Sequence, residues 1–535
     1  MSMSNDFLIE NGILSEYKGE GGHVEIPEGV TAIGPRVFES CRKVTAVTLP
    51  ASIREIGERA FYFCFGLEQI NLPEGLEEIG AEAFFGCRAL KQIDLPKSLT
   101  RISGSAFSGC WELTSVALPA GLTVVEENTF SNCRNLSHVV LPEGMTDIER
   151  SAFAGCRKIT QLTLPESLYH IGEFAFHDCG LTDLPVAAGL TQLDRSAFSK
   201  CQKLTHITLP AGLKRVERGA FFGCRNLTDV TLPKGLNWVN KSAFLECDNL
   251  VRIHADPENE HYLGIDGMLY SKDAKQLLIC PNGLTEVIVP EGVTEIGSKA
   301  FSECYLLEQV TLPDSLTHIG ESAFEHCVKL PEITFPAGLV SIGEGAFLGC
   351  KLFEKLVIPD GMKSIAPGAF QKCAGLQWIR LPQEFAFDLR WFVNPHDPEC
   401  RSADHTTVPF ATTRNISDIK SNLGKRYAGL GFMRADIAGV DTDAKIAEGY
   451  LDYIRGNLEL YHRELLTDLE ILQWLFDHQM IEKKDIEGLL EKAAVGGHTA
   501  ASAALLDYQN KTFLPKDQDK LMDQRFELFE DALSL

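Results

Sequence analysis

Residues 72–96 read LPEGLEEIGAEAFFGCRALKQIDLP, and the chain on either side says nearly the same thing again. The Phe of the AF pair is a natural ruler. It falls at 38, 61, 84, 107, 130, 153, 176, 198, 221 and 244, then at 301, 324, 347 and 370. Within each run the step is 23 residues, except for 22 between Phe176 and Phe198, where CGLTDLPVAAGL has one residue fewer between Cys179 and Leu181. Fourteen copies at a fixed period mark a solenoid, a stack in which each unit touches only its neighbours.

Each copy carries its own local signals. In LKQIDL (90–95), Ile93 and Leu95 alternate with Gln92 and Asp94, the period of a half-buried strand. Pro96 removes a ladder donor and ends it. LEEIG (76–80) is a second extended piece, and AFxGC is a tight turn. The Gly of IG is replaced by Glu126, Glu149, Asp194 and Glu217 in other copies, so a positive φ is not required there. One copy cannot bury its apolar face alone, whereas stacked copies share faces and hydrogen-bond laterally.

The pattern LPxGLxxIGxxAFxGCxxLxxIxLP resembles the BspA-like class of leucine-rich repeat over residues 24–382. The resemblance implies a leucine-rich repeat solenoid of short parallel strands and tight turns, 14 coils long, followed here by a C-terminal all-α region. It also implies a binding protein, since members of the class are bacterial surface proteins that bind host matrix proteins and other cells. The chain departs from that pattern at MSMSNDFLIENGILSEY, which has no basic segment or apolar run of the signal-peptide kind. It also lacks a recognisable wall or membrane anchor. The expected location is therefore cytoplasmic, the alternative being the cell surface by a route without a recognisable signal peptide.

Of 16 cysteines, 14 stand three residues after the ruler Phe; Cys280 and Cys400 are the exceptions. Equivalent residues in adjacent coils are spaced about 4.8 Å apart and point the same way. A disulfide needs converging Cβ atoms and zinc needs a tetrahedral set, and a straight row supplies neither. The row is expected to be small apolar filling beside the Phe spine, with thiols that react slowly, and free thiols fit a reducing compartment.

Between Phe244 and Phe301 the rhythm breaks. FLIENGILSEYKG (7–19) and YLGIDGMLYSKDA (262–274) are twins, each placing Asn-Gly or Asp-Gly between short apolar runs, the signature of a hairpin. The expected organisation is an N-terminal hairpin cap (1–23), a first repeat block (24–257), an inserted hairpin (258–283), a second block (284–382), an irregular linker region (383–440) and a helical domain (441–535). ADPENEH (255–261) lacks the spacing of a calcium loop and reads as a solvated turn. His396, Cys400 and His405 lack a fourth ligand and a known zinc spacing. DAKIAEGYLDYIRG, RELLTDLEILQWLFDHQ, EKKDIEGLLEKAAVGG and TAASAALLDYQNK have helical periodicity, with Gly496-Gly497 as a stop. Thr467 and Glu470 have capping-box spacing inside an apolar run. KAAVGGHTAASAALLDYQN weakly resembles an ankyrin-type helix pair.

The formal charge of −24, from 74 acidic against 50 basic residues, disfavours nucleic acid and anionic membrane as partners, and neither is expected. An enzyme in residues 383–440 is a third reading, but no paired carboxylates, triad or phosphate loop supports it, and no catalytic, cofactor or metal residue is assigned. The outward columns of the strand remain as the interaction surface: Gln69, Gln92, His138, Gln161, His206, Asp229, Arg252 and Gln309, with Trp378 and Arg380 at the last coil as the local candidate. The columns have almost no aromatics and no basic stripe, which disfavours sugar or base stacking. The expectation is a non-enzymatic scaffold for a protein or peptide, with the helical tail as cap or second docking module. The alternative is a BspA-like surface adhesin.

Overall fold

The structure is a computed structural model. It describes residues 6–185, 187, 189–353, 355–376, 378–381, 410–412, 422–437 and 444–513. Contacts divide the chain into one unit of residues 1–331, 341–351 and 365–372, and another of 332–340, 352–364 and 373–535.

The coil around Phe84 shows how the repeat becomes structure. Pro73 O accepts from Leu76 N–H, which starts a two-residue strand, Glu78–Ile79. Strands at this position pair in parallel with their neighbours, Glu55 beside Glu78 beside Arg101, and form sheet A. The chain then makes successive i to i+3 turns, Ala83 N to Gly80 O and Cys87 N to Phe84 O, before the extended segment that forms sheet B. Leu76, Ile79, Ala83, Phe84, Cys87 and Leu90 are fully buried and Ile93 nearly so. Lateral bonds also cross the Phe turn, from Phe84 N to Ala106 O and Gly86 N to Ser108 O. The core is thus a column of apolar side chains wrapped in hydrogen bonds that run along it.

The ruler rings stack face to face, with centroids 4.5–5.9 Å apart and planes within 13° in both runs. The 22-residue step does not disturb them, since Phe176 and Phe198 are 5.2 Å apart. Gly180 takes up the deletion: a Cβ there would stand 2.1 Å from Arg157 O. The Gly of IG has ordinary φ, in accord with the acidic residues found in its place. The left-handed positions lie elsewhere, two residues after every ruler Phe and two before every one except Phe244. Arg, Ser, Asn, Asp, Glu, Phe, His and Lys occupy them besides Gly, so no composition signal gave them away.

Both twin segments are hairpins with φ positive at both turn residues, Asn11-Gly12 and Asp266-Gly267. The first adds Ile13–Tyr17 in parallel to Ala32–Ile33 and lays the Tyr17 ring on Phe38 at 4.7 Å. The second is followed by Gln276–Ile279, which pairs in parallel with Glu295–Ile296. Cys280 then takes the place of a ruler Phe: its N–H bonds Ala300 O, as Phe301 N–H bonds Ala323 O. These two rungs extend the expected 14 coils to about 16 turns. ADPENEH is more than a solvated turn. Asn259 is fully buried; its amide donates to Pro233 O and Leu236 O at 2.9 Å, and its carbonyl accepts from His261 N and Tyr262 N at 2.8 Å.

In the other unit, the region expected to be irregular holds a strand and a helix. Phe410–Thr412 pairs in parallel with Trp378–Leu381, and helix α1, Asn422–Ile437, packs on both strands. Gly424, Gly429 and Gly431 hide the helix in the sequence by lowering its propensity. A Cβ at Gly429 would stand 2.2 Å from Tyr461 Oη, so close helix packing requires that glycine. Helices α2 (Ala444–Gly456), α3 (His462–Thr467), α4 (Leu469–Asp477), α5 (Lys483–Val495) and α6 (Thr499–Phe513) follow. Asp468, not Thr467, caps α4, accepting from Glu470 N and Ile471 N. The Gly496-Gly497 stop separates α5 from α6, which pack on each other. His396, Cys400 and His405 lie outside the described residues.

Candidate interaction surface

Sheet B presents the columns expected from the sequence, in register. Ala46 faces Gln69, Gln92 bridges to Ser115 and Ser115 faces His138. His206 faces Asp229, and Asp229 faces Arg252. Glu286 faces Gln309, and Lys355 faces Trp378. Gln69, Gln92, His138, Gln161, His206, Arg252 and Gln309 are exposed; Asp229 is half-buried. Gln161 differs in that its segment, 160–164, forms no ladder. The neighbouring column exposes apolar groups at Val140, Ile288 and Val357.

Asp229 organises the middle of this face. Its carboxylate accepts from Arg252 Nε and from Thr228 Oγ1 at 2.7 Å, with His206 Nε2 at 3.4 Å. Those contacts, Arg252 foremost, hold it below the usual carboxylate range. In the other unit, a cavity of about 550 Å³ is lined by Glu332, Thr334, Lys355, Val357 and Arg380. Arg380 is thus where a local site was expected; Trp378 lies two residues before it on the same strand, Trp378–Leu381.

The turn leading into sheet B carries a row that the strand columns do not show. One position after the repeat Cys, the guanidinium of Arg42 lies 5.3 Å from the Phe65 ring, and Arg88 lies 4.6 Å from Phe65 and 4.0 Å from Trp111. Arg134 closes the row, 4.6 Å from Trp111. Looking down one column per coil would have revealed this alternation of cation and ring; looking only at strand positions misses it.

The thiols of the cysteine row are free and buried, Cys41 alone being half-buried. They do more than fill space. Cys64 Sγ donates to Phe38 O, Cys87 Sγ to Phe61 O, and the pattern repeats coil after coil at 2.9–3.3 Å through Cys247, then at Cys327 and Cys350. Burial pushes Cys64, Cys133 and Cys247 up to about 12 and the others between them well above the ordinary thiol range. Thiols so held are slow to react, so their being free does not by itself point to a reducing compartment.

On sheet A, Asp147, Glu149 and His170 bring ligand atoms within 4.8 Å of one another, the group among the described residues that can hold a cation. Asp194 Oδ2 is 3.1 Å from His170 Nε2, while His170 Nδ1 is 3.4 Å from Asp147 Oδ1. Spacings of 2 and 21 residues form no local motif, which is why the sequence does not announce the trio.

No helix among the described residues is long and apolar enough to cross a membrane. No curated protein matches the sequence. Among solved structures, a leucine-rich repeat protein of Bacteroides ovatus is 28% identical, with a TM-score of 0.53 over 76% of this chain and 97% of that one. A leucine-rich cell surface protein of Faecalibacterium prausnitzii is also 28% identical, covering 70% of this chain and 86% of that one at a TM-score of 0.31. The family model for the BspA-type leucine-rich repeat region matches residues 17–137, 123–251 and 279–394. With its stacked coils and their repeat, the chain belongs to the BspA-type leucine-rich repeat family.

Proposed function

We propose that the protein is a non-enzymatic scaffold that binds a protein or peptide along sheet B, from Gln69 through Arg252, with the surface around Arg380 in the other unit as a separate contact. The observation that carries this reading is the Arg42–Phe65–Arg88–Trp111–Arg134 row on the turn entering that sheet. Arg and Trp are the residue types that dominate binding energy at protein interfaces, and here they are held stacked before any partner arrives. Repeats of this class commonly serve as interaction or surface-adhesin scaffolds. The pairing of Phe410–Thr412 with Trp378–Leu381 and the packing of α1 on both strands support a capping role for the tail, since they cover a strand edge that would otherwise template further pairing.

The test is capture from native-cell extract by the full chain, followed by measured affinity for the protein retained. Trp111→Ala with Arg88→Ala weakens binding at least tenfold, His138→Glu with Gln92→Arg does the same, and Glu78→Ala on sheet A leaves it unchanged. A partner that binds all of these equally well refutes the face. Fractionation and surface proteolysis of the native cell decide between the cytoplasmic and surface locations of the scaffold.

A further inference from the structure

Sheet A is unbroken from Val124–Val125 to Trp238–Val239 and resumes as a separate sheet with the inserted hairpin and Gln276–Ile279. At this break lies a cavity of about 560 Å³, within the range of small-molecule sites. Tyr262 and Leu269 supply buried apolar wall, and Trp238 lines the cavity while remaining 46% exposed. Arg218, Lys241 and Lys299 line it too.

These cations run against the chemistry of the rest of the chain. The net charge is −24, and in earlier coils the same turn positions are neutralised: Arg150 and Arg195 flank Glu173, and Arg59 bonds Glu82. Among the described residues, Arg218, Lys241 and Lys299 form no ion pair with a carboxylate. The carboxylate whose field reaches Lys241 is Glu295, and it accepts a hydrogen bond from the Gln276 amide. Lys241 is half-buried, and desolvation lowers its ammonium from the usual lysine range. A Cβ at Gly297 would stand 3.0 Å from its Nζ, so the glycine leaves the ammonium its room. The turn that carries Lys241 is also rebuilt: Ser242 is the residue two before a ruler Phe that is not left-handed, and Asn240 Oδ1 takes its N–H.

We propose that this cavity binds a small organic oxyanion, a carboxylate or phosphate ester carried on a flat apolar ring. The three cations take the oxyanion, and Trp238 with the apolar wall takes the ring. The site is separate from sheet B and stands whether or not that face binds a protein.

Isothermal titration of the full chain with 2-naphthyl phosphate, naphthalene-2-carboxylate and neutral 2-naphthol tests it. Either charged probe binds at least tenfold tighter than 2-naphthol, and the stronger of the two identifies the headgroup. The K241M/K299M double variant loses that advantage, whereas K91M, far from the cavity, retains it. Trp238→Ala weakens the probes that bind. If the double variant lacks the wild-type thermal transition, Arg218→Gln, at an exposed position, is measured in its place and loses at least threefold. Equal binding of charged and neutral probes, no binding of either charged probe at millimolar concentration, or an unchanged affinity in the folded lysine or arginine variants overturns the proposal.

Discussion

The two hairpins begin alike and end differently. Each turns on two residues of positive φ, Asn11-Gly12 and Asp266-Gly267, whose twist suits paired strands. At the N-terminus the second strand joins sheet A directly and Tyr17 lays its ring on Phe38, so the aromatic stack reaches the edge of the array. In the insert the second strand pairs first with Gln276–Ile279, and Cys280 stands where a ring would. What replaces the lost ring contact is polar: the four bonds of Asn259, and Tyr262 Oη, which accepts from Val239 N–H at 3.0 Å and donates to Asn237 O at 3.2 Å. One turn motif thus serves as a cap where an aromatic follows it and as a splice where a buried amide precedes it.

If this contrast is right, the regular block depends on rings and the splice on hydrogen bonds. Phe107→Ala, which removes a ring stacked on both sides, is expected to cost about 3–5 kcal/mol. Asn259→Ala leaves two buried carbonyls and two N–H groups without their partner and is expected to cost about 2–4 kcal/mol. Urea unfolding gives the size of each loss, and hydrogen exchange gives its place, since a stack of coils can open locally. Loss of protection should centre on coils 84–153 for the first and on 233–280 for the second. An Asn259→Ala protein as stable as wild type would end the polar-splice reading. Tyr262→Phe is the finer probe: the ring stays, the hydroxyl goes, and about 1–2 kcal/mol is expected to go with it.

The sequence shows the ladder well and the splice poorly, for a physical reason. A solenoid repeats one local environment, so every copy of Phe, Cys and Ile votes for the same position. The ring stack, the strand columns and the Asn-Gly and Asp-Gly turns could all be read from spacing. Asn259, Cys280 and Lys241 occur once each in their roles, and their meaning depends on which residues the chain brings back to them. Asn259 looked like part of a solvated acidic turn because its partners, Pro233 and Leu236, lie more than twenty positions away. The Arg–aromatic row was repeated and legible, yet it lies on the turn rather than on the strand where binding columns were sought. The α1 helix was hidden by its glycines, of which Gly429 is required by its packing.

Cysteine chemistry gives a third measure of the regular block. The buried thiols from Cys64 to Cys247 donate to the carbonyl of the preceding coil's Phe and are raised by burial, so they should react with Ellman's reagent only as the coils open. Among the described cysteines, half-buried Cys41 should lead. Prompt labelling of several equivalents in native protein would show that the ladder is looser than the ring stack implies.

The smallest effect concerns the surface of the regular block, where two histidines titrate in opposite directions. The Asp194 carboxylate beside Nε2 raises His170, against the cost of its partial burial. Asp147, Glu149, Tyr169 and Gln192 also face this pair. His170 therefore contributes stability that is fully present below its ordinary value and is lost as pH rises through the raised one. Asp194 is itself held below the carboxylate range, so the contribution also fades as pH falls through that depressed value. His177, half-buried on the Phe turn with Lys200 nearby, is lowered instead, chiefly by burial. Its contribution is present above the ordinary histidine value and is lost as pH falls through the lowered one. His170→Gln should therefore destabilise more at about pH 5.5 than at about pH 8, and His177→Gln the reverse. For His170 the difference should stay below about 1 kcal/mol, as for other partly exposed pairs. Urea unfolding of both variants at the two pH values measures it. A His170 effect rivalling that of Phe107→Ala would mean that surface pairs, and not the stacked rings, hold the regular coils together.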